Sequence, residues 1–136
     1  MELIDDPTMG FANEPTLDDL TDLSTKWGEN RGIIQNSTPV AQLMKTQEEF
    51  LETLIAAVQL ETIERFAPFV STDVFDQIYC ELQDDLIDGI GDIDVTLDQV
   101  AGTAGVTRQE CKHRAYNEIK DRKGYLREDG VFVKES

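Results

Sequence analysis

The chain has 136 residues, a length typical of one domain, and its 28 acidic and 12 basic residues give a net charge of −16. The charge is uneven, because residues 1–107 hold 22 acids and 4 bases, a net of −18, whereas residues 108–136 hold 6 acids and 8 bases, a net of +2. An acidic body without a basic face argues against binding of nucleic acid through its phosphates, but it suits cations and phosphate groups that arrive with cations.

Location is indicated by what the sequence lacks. No apolar run approaches the ~18 residues of a membrane helix, and the first residues are acidic rather than patterned as a signal peptide. Cys80 and Cys111 are not spaced as a metal or redox pair, and both fall in predicted helices. We therefore expect a cytoplasmic protein with reduced thiols, no membrane partner and no nucleic-acid partner.

The N-terminal part of the chain divides into an extension and the start of the domain. Residues 1–15 contain Pro, Asp and Asn without a clear period, so they predict an extension to a domain over residues 16–136. Thr16, followed three positions later by Asp19, forms a capping box that predicts a first helix running to about Trp27.

The second predicted helix follows a loop bracketed by glycines at 28 and 32. It starts at Thr38, with Pro39 at the first helical position, and runs into the sixties, where Pro68 ends it. One side of this helix is apolar, through Val40, Leu43, Phe50, Leu54 and Val58. Glu49 and Glu52 lie nearly opposite that side.

The third predicted helix starts at Ser71 and stops at Gly102 and Gly105. Apolar residues recur at spacings of three and four and predict a packed face, through Phe75, Tyr79, Leu82, Leu86, Ile90, Ile93 and Leu97. The other side carries a row of acids, at Glu81, Asp85, Asp88 and Asp92. Gly89 and Gly91 are unfavourable in a helix interior, which predicts a close approach by another backbone or a ligand.

The C-terminal part predicts a fourth helix and a short hairpin. Thr107 and Glu110 form a second capping box, and the helix runs to about Lys123. Apolar residues flank an Asp129-Gly130 turn in the tail, as in a β-hairpin. The predicted fold class is all-α, with four helices and a short C-terminal β-hairpin.

The acidic rows predict a site for divalent metal. Like charges at i,i+4 repel by ~0.2–0.5 kcal/mol per pair, and no Lys or Arg lies between Asp73 and Gly105 to relieve them. Carboxylate pairs spaced i,i+3 on two facing helices would supply four oxygen ligands around one centre, which suits Mg²⁺. The simpler alternative is that each row is a solvated helix face.

These acidic motifs and their neighbours resemble a known family. The run Glu48-Glu49-x-x-Glu52, followed by Asp85-x-x-Asp88, is similar to the EExxE…ExxD pattern of the all-α nucleoside triphosphate pyrophosphohydrolases, the MazG-like group of phages and bacteria. The similarity covers about residues 17–135. Further matching stretches are Trp27 to Glu52, Asp85 to Asp92, Ala115 to Gly124 and Asp129 to Lys134.

The sequence departs from the family pattern in two places. Asp85 stands where the family usually has Glu, so its side chain is one methylene shorter. The gap between the two motifs is also long, with an extra segment from about Glu61 to Asp76. Neither departure removes a carboxylate, but both prevent transfer of one member's substrate specificity to this chain.

The resemblance implies a four-helix MazG-like bundle that acts as a homodimer or a tetramer in a bacterial cell or a phage-infected host. It implies Mg²⁺, with Mn²⁺ as a substitute, and hydrolysis of a (d)NTP to (d)NMP and pyrophosphate. The implied metal ligands are Glu49, Glu52, Asp85 and Asp88. Glu48 and Asp92 are implied as catalytic residues that hold a second metal or orient the attacking water. The alternative for both is exposed charge.

The resemblance also implies residues that bind the substrate. Asn117 and Lys120 match a family position that reaches the phosphates from the fourth helix, and Arg122 could join them. Lys45 contacts phosphate or forms an internal salt bridge. Gln42 could read a base edge, and Trp27 either stacks on a base or anchors the core. The only histidine, His113, is expected at the surface.

Two other functions stay open on the sequence. One is hydrolysis of a related substrate, such as a dUTP-type nucleotide, a phosphoribosyl nucleotide or a guanosine alarmone. The other is a non-enzymatic acidic helical module that binds a partner.

Overall fold

The computed structural model describes residues 13–136, which form five α-helices and one β-hairpin. The helices are α1 (Leu17–Asn30), α2 (Ile33–Asn36), α3 (Pro39–Phe66), α4 (Thr72–Ala104) and α5 (Arg108–Ile119), with a 3-10 turn at Ala67–Phe69. Strands β1 (Gly124–Leu126) and β2 (Phe132–Lys134) pair antiparallel. The predicted all-α class with a C-terminal hairpin is confirmed. Most of the predicted extension over residues 1–15 lies outside the described residues.

The helix count within the described residues is five rather than the predicted four. α1 continues through Gly28, where a loop was predicted, and α2 forms after Gly32, whose φ of 76° only glycine adopts easily. Gly28 is buried, and a Cβ there would lie 1.7 Å from Oε1 of Gln99 in α4. This glycine therefore serves helix packing and not a helix break. α5 also ends at Ile119, before the predicted Lys123.

The predicted helix starts are confirmed by their capping hydrogen bonds. The Asp19 amide donates to Oγ1 of Thr16 at 3.1 Å, and the Thr16 amide donates to Oδ2 of Asp19 at 2.8 Å. Thr38 caps α3 by accepting from the Ala41 amide at 3.2 Å. Each cap satisfies amide groups that have no partner inside the helix and typically contributes about 1 kcal/mol.

The longest helices, α3 and α4, make the most extensive contact in the described residues. The 3-10 turn at Ala67–Phe69 joins them as an antiparallel helical hairpin. They pack tightly at Gly89, where a Cβ would lie 2.4 Å from Oγ1 of Thr53. A neighbour does lie close to Gly89, but it is the side chain of Thr53 rather than the predicted backbone or ligand. Gly91 faces open space, since a Cβ added there would have nothing within 4 Å.

Gly89 and Gly91 give a matched pair of substitutions two residues apart on α4. We expect Gly89→Ala to lower the free energy of unfolding by about 1–3 kcal/mol, because the stiff Thr53 side chain cannot move aside without separating the helices. We expect Gly91→Ala to raise it by about 1 kcal/mol through helix propensity alone. Urea unfolding of both variants measures this difference, and equal stabilisation by both would contradict the close approach of α3 and α4.

The apolar side of α3 does not pack within the chain. Its less exposed residues recur at spacings of four and three and face α4, namely Gln42, Thr46, Glu49, Thr53, Ala56, Leu60 and Ile63. The predicted apolar stripe is exposed instead, from Leu54 at 46% to Val40 at 71%. The buried apolar side chains among the described residues are those of Ala56 and Ala101, at 5% and 6% exposure. The chain alone therefore leaves a large apolar surface in water.

α5 is attached to α4 by a partly buried ion-pair cluster around Arg108. Its guanidinium donates to Oδ1 of Asp98 at 2.7 Å and to Oδ1 of Asp94 at 2.8 Å. Asp98 is only 3% exposed, and burial raises the pKa of its carboxyl above the usual value, while the charge of Arg108 opposes that rise. The cluster stabilises the start of α5 against the C-terminal half of α4.

Loss of Arg108 should leave a buried carboxylate without its partner. We expect Arg108→Met to lower the free energy of unfolding at neutral pH by about 3 kcal/mol. The matched control is Arg114→Met, which breaks an exposed pair with Glu110 in the same helix and should cost at most about 1 kcal/mol.

The loss of unfolding free energy in Arg108→Met should depend on pH. The folded-state pKa of Asp98 is raised, so the unfolded chain releases this proton first and Asp98 destabilises the fold as the pH rises above about 4. Removal of Arg108 enlarges that effect. The deficit of Arg108→Met should therefore shrink as the pH is lowered toward 4. A deficit independent of pH would contradict the burial of a charged Asp98.

Candidate functional site

The two predicted acidic motifs meet in one groove between α3 and α4. The groove has a volume of about 350 Å³. It is lined by five carboxylates, from Glu49, Glu52, Asp85, Asp88 and Asp92. The antiparallel pairing of the helices, with Thr53 against Gly89 at the floor, places the middle of α3 beside the middle of α4. All four predicted metal ligands therefore lie on the same concave surface.

Lys45 lies one helical turn before the acidic run of α3. Its Nζ is 2.8 Å from Oε1 of Glu49 and 3.0 Å from Oε1 of Glu48. These hydrogen bonds, first the one with Glu49 and then the one with Glu48, raise the pKa of the Lys45 ammonium above its ordinary value. The predicted internal salt bridge is thus present. It places a permanent positive charge at one end of the groove.

Glu48 differs from its neighbours in position. Its side chain is 59% exposed and forms the ion pair with Lys45, and it is not part of the groove lining. Asp92, the other predicted catalytic residue, lies in the groove one turn after Asp88. Position therefore favours Asp92 over Glu48 as a residue that acts on a bound ligand.

The five carboxylates share a groove without sharing a centre. Within residues 13–136, no three His, Cys, Asp or Glu side chains stand close enough together to hold a metal ion as they are. Rotation about the terminal side-chain bonds of Asp and Glu moves their oxygens within broad torsional wells. The backbone of the groove therefore sets which carboxylates are neighbours. The side-chain torsions set which of their oxygens can point at one metal ion.

The two residues predicted to contact the base lie outside the groove lining. Trp27 is in α1, and Gln42 is near the start of α3. Nε2 of Gln42 donates to Oγ of Ser37 at 2.8 Å. Trp27 is 45% exposed, and the Arg31 guanidinium lies 5.2 Å from the centroid of its ring. Trp27 is therefore not a buried core anchor. Its exposed ring has Arg31 as a cation–π partner.

The predicted phosphate-binding residues of the C-terminal part are also outside the groove. Asn117 lies in α5, and Lys120 is the first residue after the end of that helix. The backbone amide of Arg122 donates to the Ile119 carbonyl at 2.9 Å. All three are exposed, and α5 contacts the C-terminal half of α4 rather than the part beside the groove. Within one described chain, the structure does not bring these three residues together with the acidic motifs.

Two features of this region were not predicted from the sequence. Thr53 forms the groove floor, where its Oγ1 donates to the Glu49 carbonyl at 2.7 Å. Its spacing of four from Glu49 and three from Ala56 was the available signal. The ion pairs of Arg108 with Asp94 and Asp98 were also missed, since charges 14 and 10 residues apart across a helix end carry no periodic signal.

Comparisons with models of known families, with curated proteins and with solved structures found no match to this chain. No helix within residues 13–136 has the length and apolar character needed to cross a membrane. The function is therefore inferred from the chemistry of the groove and from the motifs that line it.

Proposed function

We propose that this chain is a MazG-like, all-α nucleoside triphosphate pyrophosphohydrolase that converts a (d)NTP and water into a (d)NMP and pyrophosphate. The observation that carries the proposal is the groove between α3 and α4. It gathers Glu49 and Glu52 with Asp85 and Asp88, the four positions that match the family's acidic motifs. The helical hairpin formed by α3 and α4 supports a MazG-like bundle as the finer description of the fold.

The groove suits Mg²⁺ by the chemistry of its donors. Every ionisable side chain in its lining is a carboxylate, and neither His nor Cys is present there to favour a softer metal. Glu49, Glu52, Asp85 and Asp88 would hold the ion, with Mn²⁺ as a substitute. When bound, Mg²⁺ supplies the positive charge that neutralises the triphosphate and the charge that develops during its cleavage.

The reaction is the attack of a water oxygen on the α-phosphorus of the nucleotide. The bond from this phosphorus to the bridging oxygen breaks, and the bridging oxygen leaves with the pyrophosphate. Asp92 lines the groove beyond the four proposed ligands, and its carboxylate would accept a hydrogen bond from the attacking water. Glu48 stays the second candidate for this role or for a second metal.

Other cationic and polar residues would bind the substrate. Lys45 is held at the end of the groove by Glu48 and Glu49, where its ammonium would attract a phosphate oxygen. The exposed ring of Trp27 offers a face for a base, and Gln42 offers an amide for a base edge. By the family resemblance, Asn117, Lys120 and Arg122 contribute further contacts to the phosphates.

The apolar stripe of α3 supports a homodimer, or a tetramer built from dimers. Phe50, Leu54 and Val58 are each about half exposed, although they lie on one face of a long helix. Burial of such a side chain contributes about 1.5–3 kcal/mol, and contiguous apolar patches of this kind mark interaction surfaces. A second copy with the same stripe would bury both in a self-complementary contact.

The experiment that tests this function is turnover of a nucleotide panel. Pyrophosphate release is measured with the four dNTPs, the four NTPs, dUTP and a guanosine alarmone, first with Mg²⁺ and then with excess EDTA. We expect turnover of at least one nucleoside triphosphate that EDTA abolishes. Turnover of the alarmone alone would indicate the related-substrate alternative, and no turnover of any nucleotide would contradict the enzyme proposal.

A thermal-shift measurement tests the metal separately from turnover. Mg²⁺ or Mn²⁺ should raise the melting temperature of the wild type, because a ligand that binds only the folded state stabilises it. Glu52→Gln should remove most of this shift. The matched control is Glu64→Gln, an exposed position in the same helix and outside the groove lining.

A further inference from the structure

α5 is poorly covered by the rest of the described chain. Every residue of this helix after Arg108 is exposed, although Tyr116 and Ile119 carry large apolar surfaces. With 12 residues, α5 is also too short to be more than marginally stable as an isolated helix in water. Its stability in the chain therefore calls for a further packing surface beside the ion pairs of Arg108.

A cleft lies between α5 and the start of α1. Its volume is about 680 Å³, and it is lined by the first turns of α1, by Asp94 of α4 and by residues between Thr107 and Tyr116. Each of the two helices contributes an exposed apolar side chain to the lining, Leu17 at 68% from α1 and Tyr116 at 59% from α5. The cleft thus leaves apolar surface of both helices in water.

The lining of this cleft also carries a cation that lacks a carboxylate partner in the described chain. Lys112 takes part in no ion pair within residues 13–136, although the chain holds 28 acids. The acids of the lining have other partners, namely Asp94 with Arg108, Glu110 with Arg114 and Asp18 with Gln109. An occupant that matches the cleft is therefore apolar and brings a negative charge to Lys112.

Residues 1–12 of the same chain combine these two properties. They hold large apolar side chains together with acids and contain no base, through Met1, Leu3, Ile4, Met9 and Phe11 and through Glu2, Asp5 and Asp6. Three acids without a base give the segment a net charge of −3. Residues 1–12 lie outside the described part of the chain. Their composition is complementary to the cleft in both hydrophobicity and charge.

The connection from this segment to the cleft is short. Phe11 precedes Leu17 by six residues, and Leu17 lines the cleft itself. Six residues span at most about 20 Å in an extended chain, whereas the lining stretch of α5, from Thr107 to Tyr116, is about 14 Å long at 1.5 Å per residue. Phe11 can therefore reach every part of the lining. A short tether also gives the segment a higher effective concentration at the cleft than a free partner has.

We propose that residues 1–12 pack in the cleft between the start of α1 and α5 of their own chain. In this arrangement Phe11 covers the ring of Tyr116, and the two aspartates of the segment face Lys112. The segment attaches α5 to α1, in addition to the attachment of α5 to α4 through Arg108. This contact does not depend on the proposed function, so either can fail without the other.

A carbodiimide cross-link tests this contact directly, because the zero-length reagent joins a lysine to a carboxylate that touches it. Full-length chains labelled with ¹⁵N are mixed with unlabelled chains in urea and refolded together, so that any oligomer combines both kinds. We expect Lys112 to be joined to Asp5 or Asp6 within peptides of one isotope, with fragment masses that separate these links from a link to Asp18. Links that also combine heavy and light peptides would place the segment on a second copy and overturn the proposal. Absence of any link from Lys112 to the segment would overturn it as well.

The reactivity of His113 gives a second measurement on the full-length protein. His113 lines the cleft and is the only histidine of the chain, so its modification by diethyl pyrocarbonate gives a single-site rate. We expect Phe11→Ser to raise this rate several-fold, because the segment no longer covers the cleft. The matched control is Phe69→Ser, a residue 81% exposed in the 3-10 turn and outside the cleft lining, which should leave the rate unchanged. Alkylation of the exposed Cys80 in α4 should proceed equally in all three proteins, which excludes general unfolding. Equal His113 rates in Phe11→Ser and the wild type would overturn the proposal.

Discussion

Asp85→Asn is expected to lower the rate of pyrophosphate release by roughly 10²–10³-fold, because charge stabilisation by a bound metal contributes several kcal/mol and each 1.4 kcal/mol is a factor of ten. An amide has nearly the same shape as the carboxylate but carries no charge, so the helix should be unaffected. Asp85 is exposed in the groove, and no described contact of α4 depends on it. Initial rates at saturating nucleotide, with circular dichroism on the same samples, measure both expectations.

Asp84→Asn is the matched control, since Asp84 is adjacent in α4 but is not part of the groove lining. It removes the same charge from the same helix and should leave the rate within a factor of about two to three, as expected for a surface change away from the site. Equal losses in the two variants would mean that total charge, not position, matters. Full activity of Asp85→Asn would mean that the second motif is misplaced.

Charges placed in the apolar stripe of α3 are expected to dissociate the oligomer. In the double variant Phe50→Asp/Leu54→Asp, two half-exposed apolar side chains at the middle of the stripe become carboxylates that face their copies across a symmetric contact. The cost of an unpaired charge in an apolar contact exceeds the ~1.5–3 kcal/mol that each side chain contributes. Sedimentation equilibrium should change from a multiple of the 15.3 kDa chain mass to that mass itself.

Leu17→Asp provides the control for this experiment. Leu17 is 68% exposed at the start of α1, and it is not on the α3 stripe. The same apolar-to-acid change there should leave the oligomer intact. A wild type that is already monomeric at micromolar concentration would contradict the proposed assembly.

Much of the fold was predictable because its signals are local. Thr16, Thr38 and Thr107 cap helices as expected, since a capping side chain and its amide partner lie three residues apart. The third-helix periodicity likewise predicted a long α4. Its members are partly buried, apart from Ile90, which is 57% exposed.

The errors arose where a residue's partner lies far away in the sequence. Gly28 signals a helix break when read alone, but it is retained in α1 because Gln99 packs against it. The periodicity of α3 identified an apolar stripe correctly. It could not tell whether the stripe faces α4 or another molecule, because both arrangements give the same spacing. The side facing α4 proved to be the one that carries Thr53 and Ala56.

The candidate site, like the fold, was predictable where the signal is local and not where it depends on a distant partner. The i,i+3 spacing of Glu49 with Glu52, and of Asp85 with Asp88, predicted that each pair shares a helix face, and both pairs line the groove. The spacing alone could not predict that the two pairs would face each other, since that depends on how α3 and α4 pair. The position of Lys120 relative to the groove depends on the attachment of α5 through Arg108, which the sequence does not reveal.

Identification of the reaction products by ³¹P NMR distinguishes a pyrophosphohydrolase from other nucleotide hydrolases. The wild type is incubated with Mg²⁺ and the best nucleoside triphosphate of the panel, and the same sample with EDTA serves as control. We predict nucleoside monophosphate and pyrophosphate in equal amounts, and neither in EDTA. Nucleoside diphosphate with inorganic phosphate, or no product at all, would contradict a pyrophosphohydrolase built on the acidic groove between α3 and α4.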